Sequence, residues 1–156
     1  MKSCCFTGHR ALCYTEKLEH SLRETILYLI KEGVTDFYAG GAIGWDTLCA
    51  ETVIDIRDNG HPDIHLNLIL PCKESDQTAK WDSEAKRKFR EVLKAADNVQ
   101  ILSENYHRDC MKNRNQRMVD HSDWCVCYFD ESKNYGGTAQ TIRMAHKKGI
   151  KVINLF

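Results

Sequence analysis

The sequence has no surplus of either charge: lysine plus arginine and aspartate plus glutamate number 22 each. A chain without a basic footprint lacks the surface that drives nucleic-acid and anionic-membrane binding, so nucleic acid is disfavoured as a partner. The one local exception is the cluster Lys112, Arg114 and Arg117. No apolar run approaches the roughly 20 residues a membrane helix needs, so no membrane partner is expected. Met1-Lys2-Ser3 leads straight into a strand-like segment without the layout of a signal peptide, and the expected location is the cytoplasm. Eight cysteines are present, but Cys4-Cys5 and Cys125-Val126-Cys127 do not form C-x-x-C pairs. They read as reduced, buried thiols, and neither a metal ion nor a cofactor is expected. Repeats, low-complexity tracts and long linkers are absent too, so residues 1–156 read as a single domain.

What is present is a regular alternation. Lys2 to Phe6 is an apolar strand ending at the polar segment Thr7-Gly8-His9-Arg10. Leu18, Leu22, Ile26 and Leu29 then recur at the spacing of one helical face, and Gly33 closes that helix. Strands follow at Asp36 to Ala39, Ile64 to Leu70, Val99 to Leu102, Trp124 to Phe129 and Val152 to Phe156, with helical stripes between them. One stripe is Cys49, Val53 and Ile56. Another is Ala85, Phe89, Val92 and Ala96, and Arg108 to His121 reads as a weaker helix. Pro71 to Gln77 reads as a loop leading past Trp81. Six strands joined by five helical crossovers require a mainly parallel sheet covered on both faces: an α/β, Rossmann-like, doubly wound three-layer fold.

The organising stretch is Asp36 to Asp46, where a short strand runs into Gly40-Gly41-Ala42-Ile43-Gly44 and a helix start. The dinucleotide fingerprint G-x-G-x-x-G is only partly met, because Ala39 stands at its first glycine. Gly41 and Gly44 are read as backbone turns that let an anion approach, and Asp46 as the N-cap of the next helix. Thr7-Gly8-His9-Arg10 and Gly136-Gly137-Thr138 also follow strands. The expectation is one pocket at the carboxyl edge of the sheet, formed by these loops and by Pro71 to Trp81.

These marks together resemble the SLOG superfamily, which takes its name from the SMF/DprA proteins and the LOG cytokinin-activating enzymes. Within it, the chain is most similar to the stand-alone YpsA-like branch of largely unassigned function. The resemblance rests on Thr7 to Arg10, Gly40 to Asp46, Pro71 with Gln77 and Trp81, Met111 to Met118, and Gly136-Gly137-Thr138. It implies a Rossmann-like fold and loops that bind nucleotides or nucleotide-derived ligands. The LOG enzymes hydrolyse the N-glycosidic bond of nucleoside monophosphates with an arginine in Met-x-x-Arg and a glutamate in Pro-Gly-Gly-x-Gly-Thr-x-x-Glu. Met111-Lys112-Asn113-Arg114 keeps the arginine. The second motif is broken, with Asn134 and Tyr135 at the paired glycines and Thr141 at the glutamate.

The ligand-binding set is therefore Thr7, Gly8, His9, Arg10, Gly40, Gly41, Gly44, Asp46, Gln77, Trp81, Arg114, Gly136, Gly137 and Thr138. No catalytic residue is assigned. Arg10 and Arg114 would clamp an anion through the planar guanidinium fork. His9 reads as a hydrogen-bonding residue rather than an acid or base, Trp45 as a packing residue, and Trp81 as a packing residue or a platform for a base. The leading reading is a sensor or adaptor that binds a nucleotide-like small molecule. The alternatives are a LOG-like phosphoribohydrolase, for which Asp46, Glu51 or Asp130 would have to replace the missing glutamate, and a DNA-associated module. A homo-oligomer is compatible with the sequence, which fixes no assembly.

Overall fold

The computed structural model describes residues 2–156. Strand β1 (Lys2–Gly8) is followed by helix α1 (Glu16–Lys31), β2 (Val34–Ala39), α2 (Trp45–Asp58), β3 (His65–Leu70) and the short α3 (Glu74–Gln77). Then come α4 (Ser83–Ala95), β4 (Asn98–Ile101), α5 (Cys110–Asp120), β5 (Trp124–Tyr128), α6 (Gly136–Lys148) and β6 (Lys151–Asn154). All five pairings are parallel, and the strand order is β4-β3-β2-β1-β5-β6. The expected α/β three-layer architecture is observed, with six helices rather than five.

The layers follow from side-chain alternation along the strands. Cys4, Phe6, Leu66, Leu68 and Leu70 pack with Leu18, Leu22, Ile26 and Leu29 of α1, with α2, and with Phe89 and Val92 of α4. Cys5, Ile69, Cys125 and Cys127 face the other way, onto Met118 and Val119 of α5 and Ala139, Ile142 and Ala145 of α6. Local chemistry sets the helix starts: Thr15 accepts the Leu18 N–H at 3.0 Å and Asp82 accepts the Ala85 N–H at 2.8 Å. Seven cysteines are buried free thiols, while Cys13 is an exposed free thiol, which departs from the expectation.

Three boundaries differ in ways that matter. β1 continues to Gly8, so Thr7 and Gly8 belong to a strand end. The loop expected at Pro71 to Gln77 contains α3, which is too short for periodicity to reveal. Helix α2 begins at Trp45 with Gly44 as its cap residue, so Asp46 is the second helical residue and not the N-cap. Trp45 is pulled inward, fully buried with its ring stacked on Tyr128 at 5.5 Å, and Gly44 takes φ 80 to make the entry.

Strand order runs outward from β1 to β4 on one side, then resumes at β5 on the other side of β1. The reversal therefore lies between β1 and β5. An open parallel sheet leaves a crevice there, outside the carboxyl ends of the strands.

Candidate functional site

The crevice is a cavity of about 390 Å³. Its wall includes Thr7, Gly8, His9 and Arg10 after β1, Asp46 of α2, Met111, Arg114 and Asn115 of α5, and Tyr135, Gly136, Gly137 and Thr138 at the start of α6. Nine of the fourteen expected residues meet here: Thr7, Gly8, His9, Arg10, Asp46, Arg114, Gly136, Gly137 and Thr138.

Gly136 opens α6 without any side-chain cap from Tyr135. A Cβ built on Gly136 would meet nothing within 4 Å, and one on Gly137 only Asn115 Nδ2 at 4.0 Å. Two glycines thus leave the first-turn N–H groups uncovered at the cavity wall, with the positive end of the helix dipole behind them. The other helix start at this edge is different. At α2 the Trp45 N–H donates to the His9 carbonyl at 3.4 Å, and the side chain of Asp46 already occupies the first turn, accepting the Ala42 N–H. Of the two glycine turns, only the one at α6 presents a free anion cradle.

Arg114 is buried at 3 % exposure. Its Nη1 donates to the Gly40 carbonyl, and its Nε donates to Asn115 Oδ1 at 2.7 Å. Among the described residues no carboxylate lies within ion-pair distance of it. Burial lowers its pKa, and nearby Asp46 raises it. Burial likewise pushes the Asp46 carboxyl above its ordinary value, against the pull of Arg114 and the Ala42 N–H, which Asp46 accepts at 3.3 Å. The cavity therefore holds a buried cation whose remaining nitrogen, Nη2, meets only the weak acceptor Met111 Sδ at 4.0 Å, beside a carboxyl reluctant to ionise.

The three glycines of the turn after β2 do not line this cavity, contrary to expectation; of that turn Ala42 reaches the wall, with Asp46 beyond it. A Cβ on Gly40 would strike the Arg114 guanidinium, and one on Gly44 the Arg10 carbonyl. At Gly41, φ is 74 and a Cβ would lie 2.9 Å from Leu70 Cδ2 and Phe89 Cε2, so its open side faces the core. The turn works instead through consecutive carbonyls. Gly40 O holds Arg114, and Gly41 O accepts Gln77 Nε2 at 3.3 Å.

Gln77 and Trp81 line a second chamber of about 580 Å³, together with Pro71, Asp76, Lys80 and Tyr106. The expected single pocket is thus two chambers, and Arg10 and Met111 belong to the walls of both. Trp81 packs edge-on against Phe89, with ring centroids 5.4 Å apart. His9 Nε2 accepts the Asp130 N–H at 3.0 Å, which uses that nitrogen and puts the neutral ring's proton on Nδ1. Glu51 lines a separate groove and Asp130 Oδ1 is engaged by Ser132, so of the three substitute carboxylates only Asp46 reaches the cavity. Thr141 is buried and donates to Gly137 O at 2.8 Å within its own helix. Asn115 and Tyr135 were not anticipated; a polar residue next to Arg114 was the available signal for the first.

Residues 5–154 match the family model described as the YspA SLOG family. The chain belongs to that family. Relatives of this YspA SLOG protein include the UPF0398 protein BH1768 of Halalkalibacterium halodurans, 30% identical over 143 residues, covering 90% of this chain and 72% of that one. The uncharacterized SPbeta prophage-derived protein YoqJ of Bacillus subtilis is also 30% identical over 143 residues, which is 81% of each chain. Among solved structures, the X-ray structure of TM1055 superposes with a TM-score of 0.60 at 19% identity, over 97% of this chain and 72% of that chain. That likeness shows a common fold for the SLOG chain and TM1055.

Proposed function

We propose that this SLOG protein binds a nucleotide or nucleotide-derived ligand and acts as a sensor or adaptor. One observation carries the reading: the uncapped start of α6 and the buried Arg114, which has no carboxylate partner among the described residues, meet in one cavity at the strand-order reversal. Backbone N–H groups, a helix dipole and a guanidinium fork suit a phosphate group, and a phosphate would relieve the cost of the buried cation. Thr7 and Gly8 at the end of β1 would border the sugar. Arg10, on the wall of both chambers, would add charge from the opposite side.

The second reading, a hydrolase of nucleoside monophosphates, is favoured by Asp46 alone. Cleaving an N-glycosidic bond needs a carboxylate to stabilise the developing positive sugar and to activate water. Thr141 supplies none. Asp46 sits in the cavity, but burial raises its pKa and its carboxylate accepts the Ala42 N–H, so it serves the turn more than a water molecule.

Native mass spectrometry of the purified protein tests the reading by the mass of a co-purifying ligand and of the assembly, followed by titration with nucleoside monophosphates. Saturable binding with no free base released is expected. Release of free base that disappears in Asp46→Asn would promote the enzyme.

A further inference from the structure

Asp46 leaves one of its carboxyl oxygens to the cavity. The side chain is 6 % exposed, and Oδ2 accepts the Ala42 N–H at 3.3 Å. Oδ1 makes no hydrogen bond among the described residues, yet it is not sealed off, since the buried side-chain atoms there with neither partner nor surface are Trp45 Nε1 and Gln77 Oε1. The surface of Oδ1 opens on the cavity whose wall Asp46 helps to form. Thr7 Oγ1, equally buried on the same wall, is in the same condition. Arg114 and Arg10 pull on the Asp46 carboxyl, but among the described residues no cation lies within ion-pair distance of it. A buried carboxyl held in this way calls for a donor.

Resting on the proposed anion site, we infer that Asp46 reads the sugar: its carboxyl accepts a hydroxyl of a phosphorylated sugar, so the cavity takes ribose in preference to a sugar stripped of its 2′ and 3′ hydroxyls. Three features support this assignment. The cavity has a donor pole, made of the first-turn N–H groups of α6, Arg114 Nη2 and Asn115 Nδ2, the atom nearest to a Cβ on Gly137, and an acceptor pole at Asp46. A phosphate takes donors and belongs at the first, while a hydroxyl donates and belongs at the second. The poles are also suitably spaced. Asp46 follows β2 and the cradle follows β5, with β1 between them, so two strand spacings of about 4.8 Å separate the strand ends. That leaves room over Thr7 and Gly8 for a phosphosugar with a hydrogen bond at each end. Finally, holding a hydroxyl requires only that Oδ1 accept, whereas activating water would require it to take a proton away. An apolar group in that place would leave the buried acceptor unpaired.

The test measures affinities of ribose 5-phosphate, the 5′-monophosphates of adenosine, cytidine and guanosine, and the 2′,3′-dideoxy counterparts of those nucleotides. For at least one base the ribonucleotide should bind roughly 10- to 150-fold more tightly than its dideoxy counterpart, as a hydrogen bond to a charged acceptor requires. That ratio should fall in Asp46→Asn, which keeps the shape and loses the charge, and collapse toward one in Asp46→Ala. An Asp46 that only braces the turn would weaken both members of each pair alike and leave the ratio at its wild-type value. If ribonucleotides and dideoxynucleotides bind wild type equally, or the ratio is undiminished in Asp46→Asn, the sugar reading is overturned while the anion site stands. If ribose 5-phosphate and all the nucleotides fail to bind, the anion site falls and the sugar reading with it.

Discussion

Replacing Gly137 with aspartate separates structure from binding, because the two effects have opposite signs. The site has room: the nearest atom to an added Cβ is Asn115 Nδ2 at 4.0 Å, and Gly137 is not among the glycines with positive φ. It is the second residue of α6. A carboxylate there complements the helix dipole by about 0.3–1 kcal/mol, and removing a helical glycine adds up to roughly 1 kcal/mol. For a chain of this size the melting temperature should rise by about 2–6 °C. The same carboxylate takes the N–H groups meant for the ligand and repels its phosphate. Losing a charge-assisted hydrogen bond costs about 1.5–3 kcal/mol, a weakening of roughly 10- to 150-fold. Thermal melts paired with calorimetric titration of a nucleoside monophosphate read both quantities. A variant that is folded and more stable yet binds as tightly as wild type would refute the placement of the anion at α6.

Gly41→Ala should destabilise the protein by about 1–3 kcal/mol, since φ 74 and a Cβ 2.9 Å from both Leu70 and Phe89 strain the turn; an unchanged denaturation midpoint would contradict this. Asp46→Asn should stabilise the protein at neutral pH. Burial raises the folded carboxyl's pKa above its unfolded value, so ionisation costs stability as pH rises between the two, and the variant's advantage should vanish at low pH in denaturation curves. With a thiol reagent, Cys13 should react at once in the native protein, and all eight cysteines after denaturation without reductant.

The fold was legible wherever one face of an element repeats. Leu18, Leu22, Ile26 and Leu29 are all buried, as their spacing requires, and the strand-to-helix alternation leaves little choice but a parallel sheet. The site was legible as a set of loops but not in its wiring. Whether a glycine's open side meets ligand or core depends on neighbours distant in sequence. Gly40 is shaped by Arg114, 74 residues away, and the Gly41 carbonyl accepts a hydrogen bond from Gln77, 36 residues away. Asp46 was misread by a single residue because the burial of Trp45 begins α2 early. The division into two chambers depends on Arg10 and Met111, which no local pattern brings together.

The most direct measurement pairs titration of nucleoside monophosphates with detection of released free base in the same samples, using wild type and Arg114→Lys. The account predicts saturable binding by wild type, weakened in the lysine variant because a point charge cannot replace the fork that spans Gly40 O, Asn115 and the ligand, and no base release from either. Absence of binding by every nucleotide and by ribose 5-phosphate, or turnover that depends on Arg114, would contradict it.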